Sequence, residues 1–407
     1  MWQRLWHLNL VWQIIIGMFA GVALALLAPA VALRAGFLGE LFVGALKAVA
    51  PVLIFILVVV ALATKEIAVK TGMKPIIIMY FAGMLLAAVV AVLFSFAFPV
   101  TLPLGDFSST DAATTAATAP VNVFDVLKNV LRMAIDNPLH AIASANFIGV
   151  LAWSIGIGIA LHHYASATTK TLLKEVNATA LKLVSFVIRL APLGIFGLVA
   201  ATVATTGLSA FAQYGRLLAV LVGAMLISLL IVTPLIMYLK SRRNPYPLIF
   251  VCLKESALPA FFTRSSSANT PINLALCKKM ALSEATYSIS IPLGSVVNMS
   301  GAAVTITVFA LAAAWTVGLP VGFGAALILC VVATLGACGT SGVAGGSLLL
   351  IPLACGLFQI DGEIASQVMA IGFLVGVVQD SCETALNSST DVMFTAAASP
   401  TPPKLDF

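Results

Sequence analysis

The chain has 407 residues, of which 61% are hydrophobic and 9% charged, whereas soluble domains are about half apolar and about a quarter charged. With a mean hydropathy of +1.10, this composition excludes a soluble globular protein and fits an integral membrane protein built as one membrane domain with short loops. The net charge of +6 does not point to nucleic acid, because Lys and Arg fall in short clusters between apolar runs and not along one face.

The first 32 residues have a basic start, an apolar run and an A-x-A-like end, as signal peptides do. The run approaches the roughly 20 residues of a full span and exceeds the roughly 7 to 15 of a signal core, so it reads as the first transmembrane helix. Apolar length predicts six spans, at 12–33, 41–64, 75–98, 147–161, 178–203 and 217–239. Between them "TKEIAVKTGMK", "HHYASATTKTLLK" and "KSRRNPYP" carry the loop Lys and Arg, while "SSTDAATTAATAP" and "TTGLSAFAQYG" carry none. The positive-inside rule therefore puts the basic loops and the N-terminus in the cytoplasm. Segment 121–140 sets Phe124, Val126, Leu127, Val130 and Leu131 against Asp125, Lys128 and Arg132, the pattern of an interfacial amphipathic helix. Lys47 reads as a snorkelling or packed charge in the second span.

The second half departs from simple spanning. Residues 246–277 form two apolar halves around the polar tip "TRSSSANTP", and 322–357 repeat the design around "GACGTSGVAGGS". Two full spans need about 40 residues, so each segment reads as a re-entrant hairpin of half-helices. One long helix follows each hairpin: 287–316, interrupted by "NMSGAA", and 363–396. Broken helices in corresponding repeats point to a transporter's binding site. The six cysteines (252, 277, 330, 338, 355 and 382) stand singly in or beside apolar segments and read as small buried residues.

In the last helix Asp380, Thr384, Asn387 and Asp391 are spaced by 4, 3 and 4 and share one face, with Glu383 at its edge. A charge at a helix centre costs at least about 2.5 to 3.5 kcal/mol in lipid, so this stripe must face protein or water. Carboxylate and amide oxygens suit a hard cation and an ammonium group. Gly294, Asn298 and Gly301 mark a place where a helix can unwind and offer carbonyls to Na+. The tip residues Arg264, Ser265, Ser266 and Ser267 supply hydroxyls and free N–H groups for an anionic group. A buried Arg264 needs a carboxylate, and Glu383 is the expected partner. "GTSG" at 339–342 matches a serine-nucleophile pattern, but the four histidines (7, 140, 162 and 163) all lie upstream and outside the middle of any apolar span, which disfavours a protease. A channel would instead show a repeated pore ring.

The order "TRSSSANTP", "NMSGA", "GTSGVAGGS" and "DSCETALNSSTD" resembles the hairpins and core helices of the glutamate transporter family, the sodium-coupled dicarboxylate and amino acid symporters. Within it the chain is most similar to the bacterial sodium-coupled serine/threonine carriers. The resemblance implies an all-α membrane protein with eight transmembrane helices and two re-entrant hairpins. It also implies a six-helix part over 1–240, partly scaffold, and a transport core over 241–407. It further implies a homotrimer in the bacterial inner membrane with both termini cytoplasmic, no cofactor, Na+ as the co-transported ion, and neither nucleic acid nor enzymatic activity.

Carried over residue by residue, Asp380 holds the substrate ammonium with the carbonyls of Arg264 and Val343, and Asn387 and Ser266 hold its carboxylate. Gly294, Asn298, Asn387 and Asp391 match one sodium site. A second would lie near Val296, Ala337, Cys338 and Thr340. Glu383, beside Thr384, stands where acidic-substrate members carry an Arg, which favours a small neutral substrate such as serine or threonine over a dicarboxylate. Ser300 stands where a third sodium site has an Asp, and the matching stretch of the third span offers little beyond Tyr80, so coupling to fewer sodium ions is expected.

Overall fold

A computed structural model describes residues 10–64, 73–104, 128, 131–144, 146–207, 209–340 and 345–405. The protein is an all-helical membrane protein, as its composition requires. Among the described residues four helices are long and apolar enough to cross a bilayer, at Met73–Ala97, Ala212–Ser241, Glu284–Thr316 and Gly362–Ala397, and shorter apolar helices accompany them. Residues 121–127, 129 and 130 of the expected interfacial segment, and the side chain of Lys47, lie outside the described residues; of the rest, 131–134 are helical and a separate short helix, Pro138–Ala143, starts behind the Asn137 cap.

The first half contains α1 (Leu10–Leu27), α2 (Pro29–Thr64), α3 (Met73–Ala97), α4 (Phe147–Tyr164), α5 (Ala167–Arg189), α6 (Ala191–Thr206) and α7 (Ser209–Ile227). Two expected spans are divided. The 12–33 run stops at Leu27, and residues 29–33 open α2, because Pro29 has no N–H to continue α1 and its fixed φ starts a helix well. The 178–203 run breaks between Arg189 and Ala191, where Pro192 stands at the start of α6. The basic segment after α4, read as a loop, is helical and forms the beginning of α5. Small residues let α1, α2 and α6 approach closely: a β-carbon on Gly21 would meet the Phe196 carbonyl at 2.7 Å, and one on Gly39 would meet Leu198 Cγ at 2.7 Å. A π turn at Ser228–Val232 carries α7 on to Thr233–Ser241.

The first hairpin rises as α8 (Tyr246–Cys252), a π turn at Leu253–Ala257 and α9 (Leu258–Thr263), then descends as α10 (Ser266–Lys279). Its turn is made by Arg264 in the left-handed region, φ 52°, and by Ser265, whose hydroxyl caps α10 by accepting from the Ala268 N–H. At 14 residues α10 is about 21 Å long, short of the roughly 30 Å hydrocarbon core.

Next come α11 (Glu284–Val297) and α12 (Ser300–Thr316), separated by Asn298 and Met299 in non-helical conformations. Every residue from Ser300 to Ala314 is buried, which accounts for a sequence apolar on all sides. α12 packs against α3, α15 and α13 and forms the axis of the core. The second hairpin is α13 (Phe323–Ala337), a tip described only in part, and a short 3-10 turn leading into α14 (Ile351–Leu357). The chain ends on α15 (Gly362–Ala397), capped by the Asp361 carboxylate.

Candidate functional site

The stripe on α15 is buried, as the cost of charges in lipid demands. Asp380, Glu383, Thr384, Asn387 and Asp391 are each at most 5% exposed. Their neighbours come from both hairpins and from the break between α11 and α12.

At the upper end of the stripe, Asp380 joins the two hairpin tips. Its Oδ2 accepts from Arg264 Nε at 2.9 Å, and its Oδ1 accepts from the Gly345 N–H at 3.3 Å. Arg264 Nη2 also reaches the Gly376 carbonyl at 3.4 Å. The expected pairing of Arg264 with Glu383 is therefore incorrect. The left-handed turn at Arg264 leads its side chain to the carboxylate one turn earlier on α15. With side-chain exposures of 15% and 3%, the two charges are largely withdrawn from water and each needs the other. Of the tip serines, Ser266 is buried, Ser265 is the helix cap and Ser267 is exposed. Val343 lies outside the described residues.

Glu383 has a partner set that the sequence did not suggest. Its Oε2 accepts from Thr305 Oγ1 and Ser347 Oγ, each at 2.7 Å, and from Gln379 Nε2 at 2.5 Å. Three elements thus meet on one carboxylate oxygen: α12 through Thr305, the second hairpin through Ser347, and α15 itself through Gln379. The i, i+4 spacing of Gln379 and Glu383 was visible, but Gln379 read as the end of an apolar run, and nothing marked Thr305 inside α12.

One turn and more below, Asn387 and Asp391 face the α11–α12 break. Asn387 Oδ1 accepts from the Gly301 N–H at 2.7 Å, which caps α12, and its Nδ2 lies 3.4 Å from Met299 Sδ. Asn298 Nδ2 donates to Thr390 Oγ1 at 2.8 Å, to Asp391 Oδ1 at 3.0 Å and to the Asn387 carbonyl at 3.4 Å. Gly294 closes the other side, where a β-carbon would overlap the Asp391 carboxylate and come within 2.8 Å of Tyr80 Oη. A larger residue there would have to displace both side chains. The structure thus brings Gly294, Asn298, Asn387 and Asp391 together.

Asp391 Oδ2 and Asn298 Oδ1 are buried and have no hydrogen-bond partner among the described residues. Buried oxygens without a donor are costly, and a carboxylate oxygen far more so. A small hard cation held by carboxylate, amide and carbonyl oxygens satisfies them. Ser300 Oγ, at the start of α12, is likewise buried without a partner among the described residues. Of the residues matched to a second ion, Ala337 ends α13, Cys338 and Thr340 follow in the turn, and Thr340 Oγ1 donates to the Ala337 carbonyl at 2.8 Å. Val296 is half-buried near the end of α11.

Beneath the first hairpin runs a network the sequence did not reveal. Asn269 Nδ2 reaches Ser388 Oγ at 2.8 Å, Asn273 Nδ2 reaches the Ser388 carbonyl at 2.9 Å, and Ser256 Oγ donates to Asn273 Oδ1 at 2.6 Å. These bonds tie the second arm of the hairpin to α15 and the first arm to the second.

Two broken hairpins and an unwound helix are thus gathered on the polar face of one membrane helix, where irregular backbone at membrane depth is buried in protein. In comparison with known families, the model of the sodium:dicarboxylate symporter family matches residues 10–400.

Proposed function

The chain belongs to the sodium:dicarboxylate symporter family, and on that footing we propose that it imports small neutral amino acids, serine and threonine first, together with Na+. The observation that carries the sodium part is the pair of unpartnered buried oxygens, Asp391 Oδ2 and Asn298 Oδ1, beside a glycine that cannot be enlarged without displacing its neighbours. In this reading Gly294, Asn298 and Asn387 contribute oxygens and Asp391 the charge, with a second ion near Val296, Ala337, Cys338 and Thr340.

For the substrate, Asp380 is the ammonium partner, with the carbonyls of Arg264 and Val343 beside it. Asn387 and Ser266 take the carboxylate, and Ser265, Ser267 and Thr384 complete the pocket. Loading requires the ammonium to replace the Arg264 guanidinium and the Gly345 N–H on Asp380. Glu383 supports a neutral side chain: a second substrate carboxylate would meet it with no protein cation bound to it among the described residues. With Ser300 in place of a charged residue, the carrier couples to fewer than three sodium ions.

Transport proceeds by alternating access in a homotrimer of the bacterial inner membrane, with both termini cytoplasmic. The hairpins and the helices after them move as a unit, and the second hairpin is the extracellular gate. Hinges of this kind use backbone freedom of the sort its glycines supply.

A second reading, a proton- or sodium-coupled carrier of dicarboxylates or acidic amino acids, draws on Arg264, whose guanidinium, released from Asp380, suits a carboxylate. Counterflow of labelled serine in proteoliposomes, against a panel of amino acids and with and without Na+, separates the two. Sodium-dependent counterflow blocked by threonine supports the first reading. No counterflow of serine, with labelled aspartate or succinate exchanging in its place, supports the second.

A further inference from the structure

We propose that the cleft between α2, α6 and the first turns of α15 is a binding site for an organic cation with an apolar body, separate from the substrate and ion sites. The cleft has a volume of about 460 Å³, within the roughly 300 to 1,000 Å³ of small-molecule sites. Gly36 and Glu40 of α2 line one wall, Leu198 of α6 the back, and Glu363, Ile371 and Leu374 of α15 the opposite wall.

The walls are mostly apolar, and among the described residues the lining holds two carboxylates and no Lys, Arg or His. Among the described residues neither Glu40 nor Glu363 makes an ion pair. Both are exposed at the mouth, whereas Ile371 and Leu374 are buried at 5% and 7% exposure. With two carboxylates and no cationic side chain among the described lining residues, such a cleft repels an anion and leaves two charges unmatched for a neutral molecule, while Thr202, Thr205, Tyr214, Ser366 and Gln367 supply its neutral polar groups. A molecule with a positive head and a hydrophobic body pairs the first and fills the second, and the pairing gains strength where the walls exclude water.

The site joins two parts of the fold. α2 and α6 pack on each other, while α15 belongs to the packed core around α12. A ligand filling the cleft therefore bridges a helix pair of the first half and the helix that carries Asp380 and Asp391, and it resists any motion of one past the other. It acts at a distance from the substrate and without competing with it.

The test uses the purified full-length chain in phosphatidylcholine nanodiscs, with 9-aminoacridine, cationic at neutral pH, and acridine, its neutral counterpart, as fluorescent probes. Saturable binding of 9-aminoacridine above that of empty nanodiscs is expected, with acridine not saturating. Glu40→Gln should weaken the cation by roughly two- to fivefold, the range of an exposed charge pair, and Glu40→Gln/Glu363→Gln further, with size-exclusion profiles unchanged. Equal binding of both probes, no saturation, or affinity unmoved in the double variant overturns the proposal. So does displacement of the probe by serine, which would put the cation in the substrate pocket. These measurements read binding alone, so they stand whichever substrate the carrier takes.

Discussion

Arg264 and Asp380, 116 residues apart in the chain, form an ion pair of 2.9 Å between the turn of the first hairpin and the last helix. The same carboxylate accepts from Gly345 of the second hairpin, so one side chain holds both tips. A substrate ammonium that takes Asp380 thereby acts on both hairpins at once.

Asp380→Asn should abolish uptake and also destabilise the protein, because it leaves the Arg264 guanidinium largely buried without a counter-charge. Breaking such a pair costs about 3 kcal/mol, visible as a lower Tm in detergent. Adding Arg264→Gln to Asp380→Asn should restore much of the stability and none of the uptake. Recovery of uptake in the double variant would show that Asp380 serves only to pair with Arg264.

Gly294→Ala and Asp391→Asn test the cation site from two sides. The alanine methyl has no room beside Asp391 and Tyr80, so the first should raise the Na+ concentration for half-maximal uptake at least about tenfold and cost roughly 1 to 3 kcal/mol by overpacking. Asp391→Asn keeps the shape and removes the charge, and it should weaken sodium dependence while the ranking of competing amino acids stays as it was. A fall in serine affinity at saturating Na+, with sodium dependence intact, would move Asp391 out of the ion site.

How much of this was legible depended on whether lipid or local geometry decided the matter. The stripe of Asp380, Thr384, Asn387 and Asp391 stood out because charges in an apolar helix are costly enough to demand burial. The Gly294 and Asn298 break stood out because amide and glycine interrupt an apolar run. The partner of Arg264 did not, since Asp380 and Glu383 lie on adjacent turns and the choice follows from the left-handed backbone at the tip. The breaks before Pro29 and near Pro192 were missed for a simpler reason: apolar length is blind to where a helix ends when proline is itself tolerated by the surroundings. Thr305 and Ser347 carry no signal at all until Glu383 is placed between them.

Glu383→Gln removes a negative charge while keeping an acceptor for Ser347 and Thr305. Aspartate should become a better competitor of serine counterflow, its inhibition constant falling at least about tenfold, about 1.4 kcal/mol of relieved repulsion. An unchanged constant at normal expression would mean that Glu383 anchors the second hairpin without facing the substrate's side chain.

Ser388→Ala withdraws a hydroxyl shared by Asn269 and Asn273. With buried amide protons left short of acceptors, a loss of about 1 to 3 kcal/mol is expected. Trypsin should then cut the first hairpin more readily at Lys278 and Lys279, which close its second arm. Cleavage as slow as in the parent chain would mean that the apolar contacts alone hold the hairpin.

The burial of Ser300 to Ala314 on every side insulates the binding region from the bilayer. A membrane helix that touches lipid must tilt, bend or thin its surroundings when hydrocarbon thickness changes, but residues 300–314 of α12 are enclosed by protein and pass none of that mismatch directly to the oxygens around Asn298. Thinner or thicker membranes then bear first on the outer helices, so they should alter how fast the molecule cycles far more than how tightly it grips its cargo.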